Sequence, residues 1–98
     1  MVFTSKQRAH LKSLASTMKP VAQVGKEGIS ENLVESLSQV LEARELIKIN
    51  LLPASGEDGE NLAANLAELL HAEVVAVIGR KAILYRRSSR KDFDHIEF

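Results

Sequence analysis

The sequence predicts an α/β fold of the two-layer α+β kind, one mixed four-stranded sheet with three helices packed on it. Three observations carry this. Apolar residues recur at helical spacing in three separate stretches, with Leu11, Leu14 and Met18 in the first, Leu33, Leu37 and Leu41 in the second, and Leu62, Leu66 and Leu69 in the third. Four short apolar or alternating runs lie between and after them. Proline or glycine punctuates most of the boundaries, giving the order α-β-α-β-α-β-β in 98 residues, the length of one domain. Strands joined through a helix in such an order make right-handed crossovers when they are parallel.

Thr4-Ser5-Lys6-Gln7 has the spacing of a capping box, so a helix is expected over residues 5–18, stopped by Pro20. On its wheel Arg8, Lys12 and Lys19 fall within roughly 40° of one another, flanking the apolar stripe. Val21 to Val24 form a short strand. Ile29 and Ser30 have the pattern of a staple and N-cap for a second helix reaching about Ala43. Glu45 to Leu52 form a strand closed by Pro53, and residues 54–59, small and polar, form a loop. The third helix leads into Val74–Ile78, a turn at Gly79-Arg80-Lys81, and a last strand from Ala82 to Arg86, together a hairpin. The domain is taken as residues 1–87, and residues 88–98, without periodicity, as a loose C-terminal tail.

Net charge is zero, yet the charges are segregated. Residues 1–26 carry Lys6, Arg8, Lys12, Lys19 and Lys26 with no acid, and residues 80–91 carry Arg80, Lys81, Arg86, Arg87, Arg90 and Lys91, again with none. Ten acids against Arg44 and Lys48 fill residues 27–73. A neutral chain so divided can present a positive face.

Between the first strand and the second helix stands Gly25-Lys26-Glu27-Gly28. Two glycines let the backbone turn sharply and approach another chain, and the following helix aims free N–H groups and its positive dipole end at the loop. A phosphate is favoured there, although a glycine pair at this spacing is also an ordinary tight turn.

Catalysis finds little support. The loop lacks the nucleotide P-loop pattern, His10, His71 and His95 form no metal-ligand pair by spacing, and no serine has an evident histidine partner. The chain contains no cysteine, which removes disulfides and thiolate chemistry. No apolar run approaches the roughly 20 residues that span a bilayer, so no membrane partner is expected, and a cytoplasmic location is the default. With Phe3, Tyr85, Phe93 and Phe98 as the whole aromatic content, a base-stacking platform is not expected either. Backbone and shape recognition of folded RNA fits better, with Lys26 a point charge in the loop and the first helix and hairpin adding flanking phosphate contacts.

Thr4-x-Lys6-Gln7-Arg8-x-x-Leu11, Lys19-Pro20-Val21, Val24-Gly25-x-x-Gly28, Leu41-Glu42-x-x-Glu45-Leu46-Ile47-Lys48 and Val77-Ile78-Gly79-x-x-x-Ile83-Leu84-Tyr85-Arg86 stand in the order of the CRM domain. The chain resembles the stand-alone bacterial YhbY-like proteins of that family from about residue 3 to residue 87. The resemblance implies a fold similar to the C-terminal domain of bacterial translation initiation factor three. It also implies an RNA-binding protein of the precursor large ribosomal subunit. Apart from the resemblance, no catalysis and no cofactor are expected, and a monomer is the expected form. The RNA contacts it implies map to Gly25, Lys26, Glu27 and Gly28 with the neighbouring basic residues Lys6, Arg8, Lys12, Lys19, Arg80, Lys81, Arg86 and Arg87. Glu27 would oppose a phosphate passing directly over it and is expected to point away. A different class of function, an adaptor docking its acidic helices on a basic ribosomal protein, is the alternative.

Overall fold

The computed structural model describes residues 3–98, in the order α1 (Ser5–Ala15), β1 (Ala22–Val24), α2 (Glu31–Arg44), β2 (Leu46–Leu51), α3 (Gly59–Leu70), β3 (Glu73–Ile78) and β4 (Lys81–Tyr85). A single 3-10 turn, Pro53–Ser55, occupies part of the expected loop, and Gly59 already belongs to α3.

The helix starts follow local chemistry. The Thr4 hydroxyl accepts from the Gln7 N–H at 3.1 Å while Gln7 Oε1 accepts from the Thr4 N–H at 3.0 Å, closing the capping box. Ser30 caps α2 by accepting from the Leu33 N–H at 3.1 Å, and Asp58 caps α3. The end of α1 was not foreseen. Ser16 turns its N–H and its hydroxyl onto the Ser13 carbonyl, at 3.3 and 2.7 Å, so the helix stops well before Pro20. Lys19 therefore lies outside the helix, and its grouping with Arg8 and Lys12 on one wheel does not hold.

The sheet order is β1-β2-β4-β3, with β1 parallel to β2 and both other pairings antiparallel. Alternation along the strands divides the molecule into two cores. Ile47, Ile49 and Leu51 of β2 with Ala82 and Leu84 of β4 face Leu37 and Leu41 of α2 and Leu62, Leu66 and Leu70 of α3. Leu46 with Val75, Ile83 and Tyr85 face Leu11 and Ala15 of α1 on the other side. Helices thus cover both faces, three layers where two were expected. Covered on both faces, β2 has all its residues buried save Asn50.

The tail is the second departure. Residues 88–98 pack back on the domain instead of hanging loose. The fully buried Glu45 ends α2 at φ 66°, and its carboxylate accepts from the N–H of Ser88 at 2.7 Å and of Ile96 at 2.8 Å, and meets His95. Phe98 then stacks edge-on with Phe3 and Tyr85, centroids 5.8 and 5.1 Å away. The tail carries no helical or strand period because its anchors are single contacts, chiefly to Glu45 and Phe3, far away in the chain.

Candidate nucleic-acid interface

One end of the sheet gathers the turns singled out in the sequence. Val24, the last residue of β1, sits opposite Leu51, and its carbonyl accepts from the Leu52 N–H at 2.8 Å. The chain then turns at once, closed by the Gly28 N–H donating to the Gly25 carbonyl at 2.9 Å. Lys26 and Glu27 stand exposed at the tip. The two glycines are not equivalent. Gly28 has φ +71° with open space where a Cβ would be, so its requirement is conformational. A Cβ on Gly25 would make ordinary contact with Leu52 Cδ1 at 3.5 Å, so neither its φ nor the space around it demands glycine.

The β3–β4 turn reaches the same end. Arg80 Nε donates to the Leu51 carbonyl at 2.6 Å, and the Leu51 N–H donates to the Arg80 carbonyl at 2.7 Å. Leu51 therefore ties both turns together. Next to it, Gln23, Asn50, Lys81 and Ile78 lie in one row across the four strands. The row shares the α1 side of the sheet. Where the end of α1 meets that side, a groove opens, lined by Lys12, Ser13 and Ser16 of the helix segment and by Lys48, Ile78, Lys81 and Ile83 of the strands.

The other basic residues expected at the site are elsewhere. Arg8 turns inward, its guanidinium donating to the carbonyls of Val74 (3.1 Å) and Val75 and lying 5.4 Å from the Phe3 ring centroid. Arg86 is spent on structure, donating to the carbonyls of Leu70 and Ser38, both at 2.8 Å, and facing Glu42 at 3.5 Å. Arg8 occupies carbonyls beside the β3 bulge and Arg86 the carbonyl at the end of α3, which water would otherwise have to satisfy. The second bond of Arg86 adds to the Ser38 carbonyl inside α2. Strand β4 carries Arg86 and Arg87 roughly 20 Å from Arg80 at about 3.4 Å per residue. Lys6 lies near Glu97 and Phe98 at the start of α1, and Lys19 shares a separate open groove with Arg44 and Arg90 beside α2. The structure so brings together Gly25, Lys26, Gly28, Lys12, Arg80 and Lys81, and separates Lys6, Arg8, Lys19, Arg86 and Arg87 from them.

Lys48 escaped the sequence reading. It is only 9% exposed, in the middle of the central strand. The one signal for it was parity, since Lys48 shares its strand face with Asn50 rather than with Ile47 and Ile49.

The fold shifts three ionisations near the tail. The carboxyl of Glu45 would be raised by burial, but His95 and the N–H groups of Ser88 and Ile96 outweigh this and hold it below its ordinary value. Bonding from the Ser89 hydroxyl lowers Glu42, helped by Arg86. Burial, with Glu45 nearby, pushes the Tyr85 hydroxyl up. Chemically, the groove beside the turns is lined by ammonium groups and no carboxylate. The glycine turn itself exposes Glu27 beside Lys26, and the balance at this end favours a polyanion. Among the described residues no cluster of His, Asp and Glu could hold a metal, and no helix is long and apolar enough to cross a membrane.

Comparison with known proteins agrees on a single family. Residues 3–86 match the model of the CRS1/YhbY (CRM) domain. The chain is 37% identical to a Bacillus subtilis protein named probable RNA-binding protein YqeI, over 89% of this chain and 91% of that one. It is 31% identical to a Haemophilus influenzae protein named RNA-binding protein, over 87% of this chain and 86% of the other. The solution structure of a Staphylococcus aureus protein proposed to bind RNA superposes with a TM-score of 0.76 at 38% identity, covering 93% of this chain and 95% of that one.

Proposed function

The chain belongs to the CRS1/YhbY (CRM) domain family, and from that premise we propose that it binds structured ribosomal RNA of the precursor large subunit during assembly. In this reading the Gly25–Gly28 turn lies against the sugar-phosphate chain, and Lys26, Lys12, Arg80 and Lys81 neutralise neighbouring phosphates. The observation that supports it most is the pair of hydrogen bonds between Arg80 and Leu51, the residue paired with Val24 at the root of the glycine turn. It makes one surface of two turns that lie more than fifty positions apart in sequence. Affinity then comes chiefly from counterion release, and register comes from the backbone. The protein positions or protects RNA and performs no reaction of its own.

The test is the salt dependence of binding to fragments of large-subunit ribosomal RNA, wild type beside Gly28→Asp. A steep dependence that the variant loses is expected. A shallow dependence indifferent to the variant would overturn the reading in favour of a protein adaptor using the acidic helices.

A further inference from the structure

We infer that the groove under the end of α1, rimmed by Lys12, Lys48 and Lys81, takes one unpaired nucleotide, its phosphate between the lysines and its base on Ile78. The inference rests on the RNA-binding reading and adds a site for a single nucleotide to it.

Lys48 is the starting observation. Its stem is buried in the central strand, at 9% exposure, while no ion pair among the described residues engages its ammonium group. A lysine so placed keeps its charged tip at the groove by extending along apolar surface, at a cost in rotamer freedom that an apolar residue would avoid. Lys12 from α1 and Lys81 from β4 line the same groove, and no carboxylate does. Lys12 and Lys81 are exposed at the rim and Lys48 reaches it from below, so three like charges face one groove and an anion among them relieves their repulsion. A polyanion passing over the rim would satisfy that much.

The floor calls for more. Ile83 lies at its base and Ile78 at its lip, 54% exposed, one of few large apolar side chains left bare among the described residues. In duplex RNA the bases are stacked inside and the phosphates face outward, so a duplex has nothing flat and apolar to set on Ile78. An unpaired nucleotide has both a base face and a phosphate. Among the elements of an RNA, that one fills rim and floor together.

The experiment measures binding of the full chain to a short oligouridine and to the same strand annealed to oligoadenosine, with Lys48→Met and Ile78→Ser beside wild type. Uridine monophosphate and inorganic phosphate serve as competitors. Lys48→Met is expected to weaken oligouridine about tenfold, the scale of one charged contact, and Ile78→Ser about tenfold through lost apolar contact with the base. Each should change duplex affinity less than about twofold. Uridine monophosphate should compete with oligouridine better than phosphate does at equal concentration. Ile78 is exposed, so loss in that variant is not loss of the fold. Variants that bind both RNAs as wild type does, or that weaken both equally, would overturn the nucleotide site while leaving RNA binding in place. Equal competition by phosphate would reduce the groove to an anion site and overturn the inference likewise. Wild type that binds neither RNA would overturn the nucleotide site, and failure on large-subunit ribosomal RNA fragments as well would refute the RNA-binding reading itself.

Discussion

The Glu45 carboxylate, fully buried at the end of α2, lies 2.5 Å from Nδ1 of His95, fifty residues further along the chain. This contact, with the N–H groups of Ser88 and Ile96 on the same carboxylate, fastens residues 88–98 to the domain.

Acid should loosen that fastening. The folded-state pKa of Glu45 lies below its ordinary value of 4.5, so its contribution to stability is complete above that value. It is lost as pH falls through the lower folded value. Glu42 is shifted in the same sense. Urea midpoints measured from neutral pH downward should stay level to about 4.5 and then drop. Glu45→Gln should lower stability at neutral pH by about 2 kcal/mol and flatten the acid limb. An unaltered limb in the variant would show that other carboxylates govern the acid transition.

The glycine turn should respond unequally to its two glycines. Gly28→Ala meets open space but forces φ +71° on a residue with a Cβ, at a cost of about 1 kcal/mol. Gly25→Ala should change stability by less than about 0.5 kcal/mol, since its neighbour is at ordinary contact distance. Thermal melts of the two variants decide this, and equal losses would contradict the turn geometry.

Salt titrations separate binding cations from structural ones. Lys12→Ala and Arg80→Ala should each lower the slope of log affinity against log salt by about one unit. Arg8→Ala should leave the slope in place and lower the melting temperature, because its guanidinium already serves the β3 carbonyls. A slope that moves with Arg8 instead would return it to the footprint.

Arg86→Ala should cost about 2 kcal/mol in stability, since it strands the Leu70 carbonyl at the end of α3 and removes the contacts to Ser38 and Glu42. RNA affinity of the folded fraction should be unchanged. Chemical denaturation beside a binding isotherm reads both quantities, and reduced affinity at full folding would place Arg86 at the interface.

What the sequence disclosed was whatever neighbouring residues decide. The Thr4–Gln7 capping box, the Ser30 cap, the glycine turn and the hairpin are settled within a few positions, and they read directly. The stop at Ser16 is also local, but a hydroxyl bonding back to Ser13 leaves no mark that a serine in mid-helix would not leave. The site was legible in its turns and only partly in its cations. Arg8 and Arg86 look in sequence like any other members of a basic run, and their partners lie 16 to 67 positions away. Lys48 was hidden by the opposite effect, a charge within an apolar strand. The tail, without period, gave no sign that Glu45 would hold it.

The edge-on rings of Phe3 and Phe98, 5.8 Å apart, bear on the order in which the molecule is completed during translation. Once Tyr85 has been made, the chain holds every strand and the α2–α3 layer, together with the glycine turn and its anchor on Leu51. The α1 side waits longer, because Ile96 and Phe98 pack into its core. A nascent chain stalled between these points would show a finished glycine turn above a half-open aromatic pocket, with Phe3 and Tyr85 lacking the ring that Phe98 supplies. Phe98 thus closes over a ring made far earlier in the chain.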